Sequence, residues 1–292
     1  MLTRPNRAVK IVVRNKGPTT MTETLPLSGF RAVSIATNLP GPAATHRLAK
    51  MGLSILKIEP PSGDALAMAG GGWYDDIKDS LDCIETLNLR SEEGREALGA
   101  HLRQADLLIT SHRPSALVRL GISKEWLASV NDRLCWLEIV GDVDAPEVPG
   151  HDLTYQAEVG LLHGTQMPRT LIADLAGAED AVVQALGLLL GRERGSATRH
   201  AVVGLKQAAA RFTQPLQYGL TGDQGPLSGM IPQYAIYPLK DGYIACAAIE
   251  PHFGMRFAQG VGDDPKAFFA DKTMAEASAL AKELDLPLHC FS

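Results

Sequence analysis

From Phe30 onward, short apolar runs alternate with longer amphipathic segments, and that alternation leaves few folds open. A strand–helix–strand repeat builds a parallel sheet, because a parallel neighbour is reached only through a crossover long enough to hold a helix. The first unit reads as a strand at 30–36, a helix at 41–51 closed by Gly52, and a second strand at 53–58 leading to Glu59. Ser91 followed by Glu92 and Glu93 marks a helix start, since a hydroxyl accepts an orphan amide and early carboxylates suit the positive helix end. That helix is expected to reach residue 104. Strands at 107–110, 134–140 and 200–203 alternate with helices at 115–120, 124–130, about 175–194 and from 205, Gly195 ending the long one. A Gly- and Pro-rich stretch over 219–232 then changes the pattern. Beyond it, 234–239 and 243–249 flank Lys240-Asp241-Gly242 as a hairpin, with helices near 252–260 and 273–284. The expected fold is α/β: a Rossmann-like parallel sheet over 21–218, and a smaller α+β domain over 219–292.

Composition narrows the function. With 33 acidic residues against 28 Lys and Arg, the formal charge is −5, which argues against a surface that tracks nucleic acid. No apolar run approaches the roughly 18 residues a membrane helix needs. The most apolar stretch, 181–190, is broken by Gln184, so no membrane partner is expected. Cys83, Cys135, Cys246 and Cys290 are scattered and lack metal-ligand spacing, which predicts free thiols, no metal site and a reducing, cytoplasmic location. Residues 1–20 carry Arg4, Arg7, Lys10, Arg14 and Lys16 without an acid and read as a disordered or spurious extension ahead of Met21.

Most local motifs exclude more than they identify. Leu39-Pro40-Gly41-Pro42 is not GxGxxG, and Pro42 removes an amide that a pyrophosphate would use. Gly70-Gly71-Gly72 has no Lys-Ser/Thr behind it and reads as a loop, and a Gly-x-Ser-x-Gly elbow is absent. Gly150-His151-Asp152 sets a base beside an acid at a helix start. Taken locally, Asp152 is equally an N-cap and His151 a turn residue; Asp174 caps the next helix, and Glu250 before Pro251 sits in a solvated turn.

Taken together these segments resemble the class III (CaiB/BaiF-type) CoA-transferase superfamily. The likeness runs in order through Leu27-Ser28-Gly29-Phe30, Lys57-Ile58-Glu59-Pro60-Pro61, Asn88-Leu89-Arg90-Ser91, Arg113-Pro114-Ser115-Ala116-Leu117, Gly150-His151-Asp152, Ile172-Ala173-Asp174-Leu175 and Lys240-Asp241-Gly242. Gly150-His151-Asp152, Asp174 and Ala248-Ile249-Glu250-Pro251 lean toward the α-methylacyl-CoA racemase branch. The resemblance implies His151 and Asp174 as paired acid/bases on a 2-methylacyl-CoA, Glu250 as the group that orients and charges His151, and Lys57, Arg90 and Arg113 as cations for CoA phosphates. In the transferase branch the carboxylate at Asp152 is instead a nucleophile that forms an acyl-aspartate anhydride. Coenzyme A enters as part of the substrate, no permanent cofactor is implied, and a homodimer is expected. A non-catalytic acyl-CoA-binding or dimer-forming homologue is the third reading.

Three departures stand out. The basic stretch usual before the strand ending near Asn88 is here Asp79-Ser80-Leu81-Asp82-Cys83. The usual Asn-Phe ahead of the Arg-Pro pair is Ser111-His112, and the small domain is short of the family pattern at its C-terminus.

Overall fold

A computed structural model describes residues 24–292, and the basic segment over 1–20 lies outside them. The described residues divide into two units, 24–211 and 212–292, each with its own core.

The first unit is a six-stranded parallel sheet. Its strands are β1 (Arg31–Ser34), β2 (Ser54–Glu59), β3 (Cys83–Thr86), β4 (Leu107–Thr110), β5 (Cys135–Val140) and β6 (His200–Gly204), in the order β3-β2-β1-β4-β5-β6. Side chains alternate between the two faces, as the period of two requires. Ala32, Leu107, Ile109, Cys135, Leu137 and Ile139 enter one core with residues of α1 (Pro40–Lys50), α2 (Ala65–Ser80), α7 (Ile172–Glu193) and α8 (Leu205–Arg211). Val33, Leu108 and Trp136 enter a second core with residues of α3 (Glu92–Leu102), α4 (Pro114–Arg119) and α5 (Lys124–Val130). Covering both faces is why β4 is a continuous apolar run rather than an alternating one. Ser91 caps α3 as its sequence implies, its hydroxyl accepting from the Gly94 amide at 3.1 Å. The order turns around between β1 and β4, and at such a point the loops leaving the carboxyl ends of the strands part to leave a crevice.

Three elements differ from expectation. The Gly70-Gly71-Gly72 run is not a loop but part of α2, kinked at Gly71 (φ 33°), because Leu66, Tyr74 and Ile77 bury one side of the segment and Asp64 caps it. Asp174 does not precede the long helix; α7 starts at Ile172 and places Asp174 in its first turn. Residues 212–218 group with the second unit rather than the first.

That second unit contains α9 (Gln214–Gln217) and the antiparallel strands β7 (Tyr234–Pro238), β8 (Tyr243–Ala247) and β9 (Leu288–Phe291). Ile244, Cys246, Phe257, Phe269 and Ala277 pack its core with α10 (Pro251–Val261), α11 (Pro265–Ala270) and α12 (Met274–Glu283). The hairpin about Lys240-Asp241-Gly242 forms as read, with Pro238 opposite Tyr243. Among the described residues no helix is long and apolar enough to cross a membrane.

Candidate active site

The crevice at the sheet's turning point holds a pocket of about 190 Å³. Thr37 and Asn38 after β1, His112 and Arg113 after β4, and Gly141 after β5 line it, together with Gly150, His151, Tyr155 and Asp174. A short helix, α6 (Asp152–Glu158), carries the Gly-His-Asp segment to it. His151 occupies the N-cap, and Thr154 pins it: the Thr154 hydroxyl accepts from the His151 amide at 3.1 Å and donates to its carbonyl at 2.8 Å. Asp152 is therefore the first helical residue, not the cap. The Thr154 and Tyr155 amides donate to the His151 carbonyl.

Asp152 is 4% exposed and joins α6 to α7. Its Oδ1 accepts from the Asp174 amide at 3.1 Å and its Oδ2 from Gln156 Nε2 at 2.6 Å, while Gln156 also donates to the Thr170 carbonyl. Leu171 at the N-cap of α7 offers no side-chain acceptor, so Asp152 supplies from a neighbouring helix the cap that α7 lacks. Asp174 lines the pocket, and burial, reinforced by the negative charge of Asp152, pushes its carboxyl up to about 7. Burial and the charges of Asp174 and Glu158 raise the Tyr155 phenol. The Tyr155 ring lies where a Cβ on Gly141 or Gly150 would intrude, so these two glycines make room for the ring that backs His151 and Asp174.

A network behind the pocket fixes α6 and α8. Lys206 bridges Asp142 (2.9 Å) and Glu158 (3.0 Å), and Gln207 Nε2 donates to Asp142 at 2.6 Å. The lysine and amide hydrogen bonds hold the Asp142 carboxyl at about 2.

The three expected cations part company. Lys57 is fully buried, its ammonium 2.6 Å from Asp64 and 3.0 Å from the Ala36 carbonyl. Asp64 in turn accepts from the Asn38 amide at 3.0 Å. The expectation that Lys57 meets CoA phosphates is corrected: an ammonium enclosed at 0% exposure ties the β1 loop to the β2 loop and faces no ligand. Arg113 is exposed on the small pocket, whereas Arg90 lines a second cavity of about 830 Å³, with Arg119 and the apolar Ile35, Ile58 and Leu87. Glu250 belongs to the second unit, exposed at the start of α10.

Sequence reading missed His112, Arg119, Tyr155 and Gln156. Only Gln156 carried a local signal, four residues after Asp152 on one helix face. His112 follows β4 in a loop, while Arg119 and Tyr155 sit on α4 and α6, and their spacing in sequence says nothing of the neighbours they meet.

Residues 27–287 match CoA-transferase family III. Formyl-CoA:oxalate CoA-transferase of Streptomyces avermitilis is 28% identical over 240 residues, which cover 70% of this chain and 58% of that enzyme. Cinnamoyl-CoA:phenyllactate CoA-transferase of Clostridium sporogenes is 26% identical over 269 residues, covering 80% of this chain and 64% of the enzyme. This chain thus spans less than two thirds of the length of either relative. Two crystal structures share the fold. A hypothetical protein (Rv3272) from Mycobacterium tuberculosis has a TM-score of 0.73 at 21% identity, covering 90% of this chain and 83% of that one. A CAIB/BAIF family protein from Brucella suis has a TM-score of 0.74 at 19% identity, with 92% and 85% covered. A match that runs over nearly all the described residues, on a doubly covered parallel sheet with the Gly-His-Asp helix at its turning point, shows that the chain belongs to CoA-transferase family III.

Proposed function

We propose that this chain processes an acyl-CoA thioester, and that its reaction is the removal and return of the α-proton of a 2-methylacyl-CoA. The observation that carries this reading is the placement of Asp174, pushed up to about 7, on the same pocket as His151. Inverting a carbon beside a thioester carbonyl takes a base on one face and an acid on the other. A catalytic group serves best with a pKa near the working pH. An ordinary aspartate near 3.9 is a poor proton donor at neutral pH; one near 7 holds its proton for half the molecules. His151 takes the proton and Asp174 gives one back, or the reverse for the other enantiomer. Glu250, carried by the second unit, is assigned the charging of His151 on the resemblance alone, and Glu250→Gln is expected to lower the rate of exchange. Assembly as a homodimer and a cytoplasmic location belong to the same proposal.

Transfer through Asp152 is the second reading, favoured by the transferase names of the relatives. It asks a carboxylate that is 4% exposed, with both oxygens engaged, to attack a thioester. The test offers the protein a 2-methylacyl-CoA in deuterium oxide with hydroxylamine present. The α-proton reading predicts deuterium at the α-carbon, a rate of inversion lowered at least about 10²-fold by His151→Ala and by Asp174→Asn, and no acyl hydroxamate released from Asp152. Hydroxamate formation that depends on Asp152, without deuterium uptake, would replace it with transfer.

A further inference from the structure

Tyr155 stands on α6 one turn beyond His151 and is 5% exposed. Its hydroxyl has no hydrogen-bond partner among the described residues, yet it is not one of their enclosed orphan atoms, which are His112 Nδ1, Arg199 Nε and His200 Nε2. The phenol oxygen is therefore open to the pocket that Tyr155 lines with His151 and Asp174. Two glycines make room for the oxygen itself: a Cβ at Gly141 or at Gly150 would meet the hydroxyl, and both glycines line the same pocket. A buried hydroxyl without a partner is costly, and a phenylalanine would fill the same cleft without that cost. Burial and the charges of Asp174 and Glu158 raise the phenol, so at neutral pH it keeps its proton and acts as a donor.

A fixed donor of this kind is worth most against an oxygen that gains negative charge during the reaction. In a thioester that atom is the carbonyl oxygen. When His151 or Asp174 takes the α-proton, the C–H electron pair forms a carbon–carbon double bond and the carbonyl pair moves onto oxygen, leaving an enolate. The negative charge of Asp152 already opposes ionisation of Asp174, so a further anion in this pocket needs a donor. Resting on the acyl-CoA reading above, we propose that Tyr155 is a catalytic residue whose hydroxyl donates a hydrogen bond to the thioester oxygen and holds it as the enolate forms. The phenol keeps its proton throughout, so the two proton carriers remain His151 and Asp174. The same donor serves acyl transfer, where attack on the carbonyl carbon also leaves its oxygen anionic.

The test compares the parent with Tyr155→Phe on a 2-methylacyl-CoA labelled with carbon-13 at the thioester carbonyl. Deuterium exchange at the α-carbon should fall at least about 10²-fold in kcat, with KM within about 3-fold of the parent, because the bond strengthens only as charge develops. The variant should melt no lower than the parent, since the hydroxyl has no partner among the described residues to lose. On binding to the parent, the labelled carbonyl band in the infrared should move to lower frequency, and on binding to Tyr155→Phe most of that shift should vanish. An equal band position in the two complexes, an unchanged kcat, or a lower melting temperature in the variant overturns the role of Tyr155 and leaves the acyl-CoA reading intact. A parent that shows the Tyr155-dependent band shift but exchanges no α-proton retains the donor and overturns the α-proton reading alone. Failure of the parent to bind the thioester at all overturns the acyl-CoA reading and the inference with it.

Discussion

Asp174 sits where a helix favours a negative charge, in the first turn of α7, and still rises from 3.8 to about 7. The helix end offers about 0.3–1 kcal/mol, less than one pKa unit, so burial and the neighbouring Asp152 carboxylate win. The rise has a direction in stability. Between pH 4 and 7 the folded chain keeps a proton that the unfolded chain releases, so stability falls as pH rises through that window and levels off above it. Asp174→Asn removes the penalty. Urea unfolding should show the variant no more stable than the parent near pH 4, and more stable by on the order of 2–4 kcal/mol at pH 8. Lys57 makes the opposite case, a charge whose partner holds it inside the protein. Lys57→Met strands the Asp64 carboxylate, and the same measurement should show a loss of about 3–5 kcal/mol. Unchanged stability with weakened CoA binding would restore Lys57 to the phosphate-binding role that the structure denies it.

The elements explain what could be read from sequence and what could not. Short apolar runs and a capped helix start made β1, β2, β4, β5 and α3 legible, because each of those signals is local. α2 was hidden because a glycine run reads as loop until Leu66, Tyr74 and Ile77 find a core to bury against. β9 was hidden because Leu288–Phe291 is a strand only through its pairing with β8. The site was legible in its residues but not in its wiring. His151, Asp152 and Asp174 do come together, yet the role of Asp152 as a cap for α7 depends on a contact across 22 positions of sequence. Tyr155 shows the same limit, since the reason for Gly141 and Gly150 is a ring neither touches in sequence. Gly141→Ala should set its new methyl about 2.8 Å from Tyr155 Cζ and destabilise the protein by roughly 1–3 kcal/mol. Tyr155→Phe, which removes the atom met first, should recover part of that loss in a double-mutant cycle followed by thermal melting.

At the scale of the molecule, the reversal of strand order between β1 and β4 opens the crevice whose pocket is lined by both His151 and Asp174. Loops from both halves of the sheet converge there. The Asp142–Lys206–Glu158 network behind the pocket keeps α6 and α8 in place. Asp142 is held near 2, so its contribution is present above its ordinary 3.8 and is lost as pH falls toward 2. Asp142→Asn should lower the melting temperature at pH 7 and converge with the parent only as pH falls to about 2. The proposed reaction needs two opposed proton carriers at one pocket, and its direct test uses each enantiomer of a 2-methylacyl-CoA separately in deuterium oxide. His151→Ala and Asp174→Asn should each lose inversion, while each keeps deuterium exchange with one enantiomer, and the enantiomer retained should differ between the two variants. Loss of exchange with the same enantiomer in both, or inversion that survives either substitution, would contradict a two-base site.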